Sequence, residues 1–232
     1  KDVILPSYLC EEVLNAVTYT KATPKFVDIN STNYSIDLSK TKKSITKKTS
    51  AIIVPYQYGD LVDIEILKDS KVPIIEDICH CTGGKISQKY LGSFGSIGMT
   101  SFNDRKFLDG GYGGAVFTNN AVYAKKIESL LSLSKNKKYR INYNYSIPNL
   151  ASYVIFEKSK KLNQDIINRR KIADYYLKSF KNTNLKIRYK SLKNSFFYRF
   201  MIDVPNNKHN FKMSTIHKTR PNIFIFNPRI II

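Results

Sequence analysis

The sequence predicts an α/β protein built on a mostly parallel sheet that is flanked by helices. Short apolar runs rich in β-branched residues alternate along the chain with stretches that carry apolar residues at helical spacing. Three of these runs are almost unbroken, which is typical of strands covered on both faces. The chain has 232 residues, of which 42% are hydrophobic, so it can bury a core. In such a sheet a ligand is expected beyond the carboxyl ends of the strands.

The first half of the chain supplies the predicted sheet. Residues 2–9, DVILPSYL, begin with a strand and a turn, whereas residues 10–20 and 63–70 have helical character. The remaining strands are expected at residues 24–29, 50–58, 72–77, 97–102 and 114–120. Because strands alternate with helices, most of them should pair in parallel.

The second half of the chain has a different character. Residues 121–134 are predicted to form an amphipathic helix, and residues 149–180 form one long helix or two in succession. An aromatic-rich strand is expected at residues 195–204, and an apolar tail, NIFIFNPRIII, closes the sequence. This tail is expected to be too short for a complete second domain.

These elements suggest two units. Residues 1–148 are expected to form a partial large domain, and residues 149–232 a long helix followed by a partial small α+β domain. The first residue is Lys1 rather than Met, and the strand begins at once, so we expect the chain to start inside a domain.

The composition disfavours several functions. The net charge is +20, but the Lys and Arg residues are scattered over polar faces, so no nucleic-acid partner is expected. No apolar run approaches the length needed to cross a membrane. The three cysteines, Cys10, Cys79 and Cys81, form neither a paired framework nor a complete zinc motif, so no metal is expected. Free thiols fit a reducing cytoplasm.

Polar residues cluster where the predicted strands end. Asp77 closes one strand, Ser101 lies at the end of the next, and Lys106 follows five residues later. A loop with four glycines, within residues 110–114, comes directly after Lys106. Since the carboxyl ends of parallel strands meet at one edge of the sheet, these side chains are predicted to share one site.

Seven segments extend this pattern along residues 3–204. They are LPSYLCEEVLNAV, PKFVDIN, VPYQYGDLVDIEIL, VPIIEDICH, GSFGSIG, GGAVFTNN and NRRKIADYY. In order and approximate spacing, the chain resembles the DegT/DnrJ/StrS family of pyridoxal-phosphate-dependent sugar aminotransferases. The resemblance implies the fold-type-I aminotransferase fold, pyridoxal 5'-phosphate as cofactor and a cytoplasmic homodimer. It also implies transfer of an amino group from glutamate to a nucleotide-linked keto-sugar.

The resemblance assigns roles to four residues. Lys106 matches the lysine that bonds to the cofactor aldehyde, and Asp77 matches the carboxylate that keeps the pyridine nitrogen protonated. His80 matches a position near the cofactor ring oxygen, and Ser101 matches the phosphate-binding serine. From the residues alone, Lys106 could be a surface lysine, Asp77 a helix or turn cap, and His80 and Ser101 structural residues.

The chain also departs from the family pattern. Cys10 occupies the position of the aromatic residue that stacks on the cofactor, with Tyr8 as a substitute two residues earlier. Asn144 matches the segment that reaches the partner subunit's site, but Ser146 replaces the arginine of that segment. The family's first phosphate-binding loop has no counterpart.

These departures leave an alternative open, in which the chain is a truncated, inactive homologue that serves as a fold remnant or a binding protein. We expect no transaminase activity from the 232 residues alone. Retention of Lys106 nevertheless favours the aminotransferases over the family's dehydratase branch, which lacks the lysine.

Overall fold

A computed structural model describes residues 1–131, 145–181, 186–187, 195–203 and 223–226. Its strands are β1 (Asp2–Pro6), β2 (Thr23–Val27), β3 (Thr49–Pro55), β4 (Ile74–Asp77), β5 (Lys85–Ile86), β6 (Lys89–Tyr90), β7 (Ile97–Ser101), β8 (Gly114–Phe117), β9 (Lys186–Ile187), β10 (Phe200–Asp203) and β11 (Ile223–Phe226). Its α-helices are α1 (Glu11–Tyr19), α2 (Leu38–Ser44), α3 (Ala121–Leu131), α4 (Asn149–Ser159) and α5 (Leu162–Ser179).

Six strands form the central sheet, in the order β2-β1-β3-β4-β7-β8. The first five strands in this order pair in parallel, and only β8 runs antiparallel to its neighbour β7. The predicted α/β class with a mostly parallel sheet is therefore confirmed. A three-stranded sheet of β9, β10 and β11 lies in the second half of the chain, and β5 and β6 form a short hairpin.

The central strands are buried on both faces, as their unbroken apolar runs predict. Ile4 and Ile52 point into the larger core cluster, and their sequence neighbours Leu5 and Ile53 point to the opposite face. There they pack against Val17 of helix α1. Successive side chains on a strand point to opposite faces, so a strand that is covered on both faces needs apolar residues at consecutive positions.

Several predicted elements differ in extent from the observed ones. The helical segment expected at residues 63–70 is a 3₁₀ helix, Ile64–Ser70, which ends at Lys71 with a left-handed φ of 56°. Residues 149–180 form two helices, with a break at Lys160 and Lys161. The strand expected at residues 195–204 begins only at Phe200, since residues 195–199 pack against a loop of the first half instead.

Helix α2 was not predicted, because its lysine-rich sequence has little apolar periodicity. Its start is nevertheless fixed locally, since the Asp37 side chain accepts a hydrogen bond from the Lys40 N–H at 2.9 Å. Thr41 is the buried member of the helix. A capping aspartate alone was too little to identify a helix of seven residues.

The two halves of the chain share one core. Ile166 of helix α5, together with Phe196 and Tyr198, belongs to the same buried cluster as the central sheet. A smaller cluster of Ala173, Phe197, Phe200 and Ile202 joins helix α5 to strand β10. The division of the chain at residue 148 stays a prediction. Within the described ranges, no helix combines the length and the apolar character needed to cross a bilayer.

A clamp joins the loop after β3 to the segment before β10. The Phe196 N–H donates to the Gly59 carbonyl at 2.7 Å, and Asp60 and Ser195 pair as an isolated β-bridge. The Asp60 Oδ1 atom is buried and has no hydrogen-bond partner among the described residues. Burial raises the pKa of Asp60 to about 6, from an ordinary value of 3.8.

This pKa predicts how Asp60 affects stability. Because the folded chain binds the proton more tightly than the unfolded chain, the stability contributed by the protonated carboxyl is complete below pH 3.8 and is lost as pH rises through 6. Asp60→Asn should therefore raise the free energy of unfolding by about 3 kcal/mol at pH 7.5 and change it little at pH 4.

Urea unfolding of both proteins across this pH range measures the difference, and the comparison cancels the titration of all other groups. An equal pH dependence of the wild type and Asp60→Asn would contradict the assignment of the raised pKa to Asp60.

Candidate active site

The site begins at the end of strand β4, where two adjacent acids point in opposite directions. Glu76 is fully buried and accepts hydrogen bonds from the Tyr56 hydroxyl at 2.8 Å and from the N–H groups of Gly92 and Gly95 at 2.9 and 2.5 Å. Asp77 faces the other way, into a cavity at the carboxyl edge of the sheet. Sequence reasoning singled out Asp77 and missed the structural role of Glu76.

A short turn holds the Asp77 carboxylate in place. Asp77 is 8% exposed, and its Oδ1 atom accepts a hydrogen bond from the Cys79 N–H at 3.0 Å. This turn returns the chain so that Cys79 and His80 line the same cavity. Burial, with the nearby charge of Asp77, raises the pKa of the Cys79 thiol, so it remains a neutral part of the cavity wall.

Ser101 ends strand β7, next to β4. Its Oγ atom accepts a hydrogen bond from the Asn103 N–H at 3.3 Å, which leaves the hydroxyl proton available to another acceptor. Ser101 also pairs in register with Gly114 of β8. The serine is thus fixed at the edge of the sheet where the cavity opens.

Lys106 lies on the connection from β7 to β8. It is half-buried and lines the cavity, whereas the surface lysines are exposed to solvent. Its main-chain N–H donates to the Asn103 carbonyl at 3.2 Å, and the preceding residue, Arg105, has a left-handed φ of 67°. The two following residues, Phe107 and Leu108, are buried. The turn before Lys106 and the two buried side chains after it therefore place Lys106 at the cavity.

The glycines after Lys106 serve the packing of this loop. A Cβ atom on Gly114 would lie 2.6 Å from the Thr100 carbonyl, and one on Gly113, whose φ is 101°, would lie 2.4 Å from the Ile147 side chain. The close approaches that the structure shows here are to the protein itself.

His80 is held on two sides. Its Nδ1 atom accepts a hydrogen bond from the Tyr58 N–H at 3.2 Å, and its ring stacks on Tyr198 with centroids 4.0 Å apart and planes inclined by 10°. Burial, with the positive charges of Lys106 and Arg199, lowers the pKa of His80 to about 3. The imidazole is therefore neutral at physiological pH.

Tyr198 is a site residue that sequence reasoning missed. Its hydroxyl donates to the Arg105 carbonyl at 3.1 Å, and Lys106 Nζ lies 5.6 Å from its ring centroid. Tyr198 thus contacts both the lysine loop and His80, although it lies 92 residues after Lys106 and 118 after His80 in the sequence. Only the run of aromatic residues around it distinguished this segment.

One cavity of about 710 Å³ collects most of the predicted residues. Cys10, Asp77, His80, Ser101 and Lys106 all line it. Cys10 reaches it because helix α1 starts at the end of strand β1, at the same edge of the sheet.

Two of the predicted site residues, Tyr8 and Asn144, are not among the residues that the structure shows lining the cavity. Tyr8 is not among the residues that line the cavity: its hydroxyl hydrogen-bonds to that of Tyr58, and its ring lies 6.0 Å from that of Tyr34. The structure therefore gives no support to Tyr8 as a substitute for the stacking aromatic residue. Asn144 lies outside the described residues.

The donor set at this edge fits pyridoxal 5'-phosphate. A buried carboxylate, a primary amine and a hydroxyl proton face one cavity, and these groups suit a pyridine nitrogen, an aldehyde and a phosphate respectively. In the described part of the chain, no group of three or more histidine, cysteine or acidic side chains is placed to hold a metal ion.

Comparison with known proteins finds relatives that align with most of this chain. GDP-perosamine synthase of Escherichia coli O157:H7 is 30% identical over 212 residues, which cover 88% of this chain and 58% of that protein. The dTDP-3-amino-3,6-dideoxy-alpha-D-galactopyranose transaminase of Aneurinibacillus thermoaerophilus is 33% identical over 189 residues, covering 78% of this chain and 52% of that protein. The chain therefore spans a little over half the length of these relatives.

Comparison with solved structures finds a similar fold. The crystal structure of a DegT DnrJ EryC1 StrS aminotransferase from Brucella abortus superimposes with a TM-score of 0.77 at 26% identity, covering 88% of this chain and 59% of that one. A family model matches residues 1–223, nearly the whole length. Because this match covers almost all of the chain, the chain belongs to the DegT/DnrJ/EryC1/StrS aminotransferase family.

Proposed function

We propose that the protein is a pyridoxal-phosphate-dependent aminotransferase that moves an amino group from an amino acid, glutamate, to a nucleotide-linked keto-sugar. The observation that carries this proposal is that Lys106 and Asp77 line the same cavity at the carboxyl edge of the sheet. Membership of the family supports the cofactor and the reaction class. The two relatives, named for a GDP-linked and a dTDP-linked sugar, support the substrate class.

Each site residue has a defined task in this reaction. Bound pyridoxal phosphate supplies an electron-withdrawing ring and an aldehyde that accepts amines. Asp77, buried at the end of β4, holds the proton on the ring nitrogen. Lys106 would hold the cofactor through its amine, and when that amine is free it would move protons between the reacting atoms. Ser101 donates its hydroxyl proton to a phosphate oxygen.

The charge of the protein suits an anionic substrate. Arg105, Lys106 and Arg199 line the cavity, and the whole chain carries a net charge of +20. A nucleotide-linked sugar carries phosphate charges, so the field of the protein raises its rate of encounter at low ionic strength. The free thiols Cys10, Cys79 and Cys81 support a reducing compartment, the cytoplasm.

The alternative of an inactive homologue is less well supported. A chain kept only as a fold remnant has no need to retain an amine, a buried carboxylate and a strand-end hydroxyl on one cavity. Lys106, Asp77 and Ser101 provide these three groups.

We further propose a homodimer that uses the outer face of helix α4. Leu150, Tyr153 and Phe156 are 77%, 63% and 59% exposed, although they are large and apolar. Helix α4 packs against the loop after Lys106, where Lys158 Nζ donates to the Asp109 carbonyl at 2.7 Å. An apolar face beside the site suits a contact with a second copy.

Lys106→Ala should abolish covalent attachment of the cofactor in the full-length protein while leaving the fold intact, because no other lysine of the described residues lines the cavity. Borohydride reduction followed by mass spectrometry of the labelled peptide measures the attachment. Lys125→Ala, on the exposed face of helix α3, is the matched control and should label as the wild type does. Labelling that persists in Lys106→Ala would remove Lys106 from this role.

Asp77→Asn should leave the cofactor bound and slow amino-group transfer by about two orders of magnitude or more, since a neutral amide cannot hold the ring proton. Single-turnover kinetics with glutamate measure this step, and Asp69→Asn, at an exposed surface acid, is the control. A transfer rate close to that of the wild type would mean that Asp77 only caps the turn at Cys79.

Replacing both Leu150 and Phe156 by Glu should convert the dimer into a monomer at micromolar concentration, because two charges would be buried in the interface. Light scattering coupled to size-exclusion chromatography measures the mass. Val122→Glu introduces a charge at an equally exposed apolar position of helix α3 and should leave the mass unchanged. A monomeric wild type would contradict the proposal.

A further inference from the structure

Tyr58 adopts a backbone conformation that a bulky residue rarely takes. Its φ and ψ are 54° and 9°, in the left-handed region, and Gly59 continues the turn with a φ of 91°. A large side chain in this region is an outlier that persists only where the surrounding structure holds it, and such outliers cluster at functional sites.

The surroundings of the Tyr58–Gly59 turn show what holds it. A Cβ atom on Gly59 would lie 3.0 Å from the Tyr198 nitrogen and 3.1 Å from the His80 carbonyl oxygen. The Gly59 carbonyl in turn accepts the Phe196 N–H at 2.7 Å. The turn is therefore wedged between the loop that carries His80 and the segment that carries Tyr198.

In this conformation the Tyr58 N–H donates to His80 Nδ1 at 3.2 Å. A nitrogen that accepts a hydrogen bond carries no proton, so the proton of the neutral imidazole is on Nε2. Tyr198, whose plane is inclined by only 10° to the imidazole, restricts rotation of the ring.

The neighbouring charges oppose a second proton. Lys106 comes from the loop after β7 and Arg199 from the segment before β10, and both are cations that face His80. The rings that lie beside His80 belong to the phenols Tyr58 and Tyr198, and the Cys79 thiol and the Asp77 carboxyl line the cavity with it. An ordinary histidine changes its charge between pH 5 and 8, whereas burial and these two cations keep the His80 ring neutral.

We propose that Tyr58 is a positioning residue whose left-handed main chain sets His80 as a constant Nε2–H donor to an acceptor oxygen of the ligand in the cavity. His80 lines that cavity together with Lys106 and Asp77, so the donor and the reacting groups share one ligand. The identity of that ligand as the cofactor rests on the proposed function, whereas the tautomer of His80 does not.

The tautomer is measured on the protein without ligand. In ¹⁵N-labelled protein, long-range proton–nitrogen correlation spectra distinguish the two neutral tautomers and the imidazolium, and His80→Gln identifies the signal among the three histidines. We expect the Nε2–H form from pH 5 to 8 with no titration. An Nδ1–H form, or a charge change within this range, would overturn the proposal.

Two variants test the main chain of Tyr58. Tyr58→Gly keeps the N–H group and tolerates the left-handed φ, so the Nε2–H form should persist. Tyr58→Val keeps the N–H group but disfavours this φ, so the tautomers should become mixed. Loss of the Nε2–H form in Tyr58→Gly, or its full retention in a folded Tyr58→Val, would overturn the positioning role. If Tyr58→Val fails to fold, the His80 tautomer in the wild type and in Tyr58→Gly still tests the positioning role.

Adding pyridoxal phosphate tests the donor role, with binding followed independently by its absorbance. The His80 Nε2 signal should shift on binding while the tautomer stays the same. Binding without a shift at Nε2 would overturn the donor role. Absence of binding would count against both the proposed function and the ligand half of this proposal, but it would leave the tautomer result standing.

Discussion

The alternation of side chains at the end of strand β4 is the constraint on which the site depends. Because neighbours on a strand point to opposite faces, the consecutive acids Glu76 and Asp77 must have different surroundings. Glu76 enters the core, where the Tyr56 hydroxyl and two glycine N–H groups solvate its carboxylate. This arrangement satisfies a buried acid and pins the chain on both sides of β4, so that Asp77 is presented to the cavity without freedom to turn away.

The second requirement of the site is the clamp between the loop after β3 and the segment before β10. It brings Tyr198 onto His80 and onto the carbonyl of Arg105, and so joins the lysine loop to the histidine loop. Helix α5 supports the clamp from outside, because Arg169 Nη1 donates to the Tyr198 carbonyl at 3.5 Å. The same side chain packs over the ring of Phe107 in the lysine loop at 4.6 Å. The edge of the sheet that opens into the cavity thus depends on residues that belong to the second half of the chain.

The sequence was sufficient for the sheet and for the residues at its edge. The strands could be predicted because burial on both faces requires long apolar runs, and Asp77, Ser101 and Lys106 followed from where those runs end. Helix α2 could not be predicted in the same way, since its stability comes from a cap and one buried threonine rather than from a stripe of apolar residues.

Tyr58 and Tyr198 were beyond the reach of sequence patterns for a different reason. The left-handed φ of Tyr58 is imposed by tertiary packing, and the periodicity of the sequence carries no information about it. Tyr198 enters the site through contacts that span more than ninety residues, and its neighbours could be interpreted only as a strand. Local rules predict where an element lies, but they do not predict which distant loops it meets.

The long span of the clamp also bears on how the protein is made. All six strands of the central sheet lie within the first 117 residues, so they can pair early in synthesis. The hydrogen bond from Ser195 Oγ to the Gly59 carbonyl joins residues 136 apart, and closing so long a loop carries an entropic cost that local pairing avoids. In a nascent chain, pairing of these strands therefore loses less entropy than the contact that brings Tyr198 onto His80, and it can precede that contact.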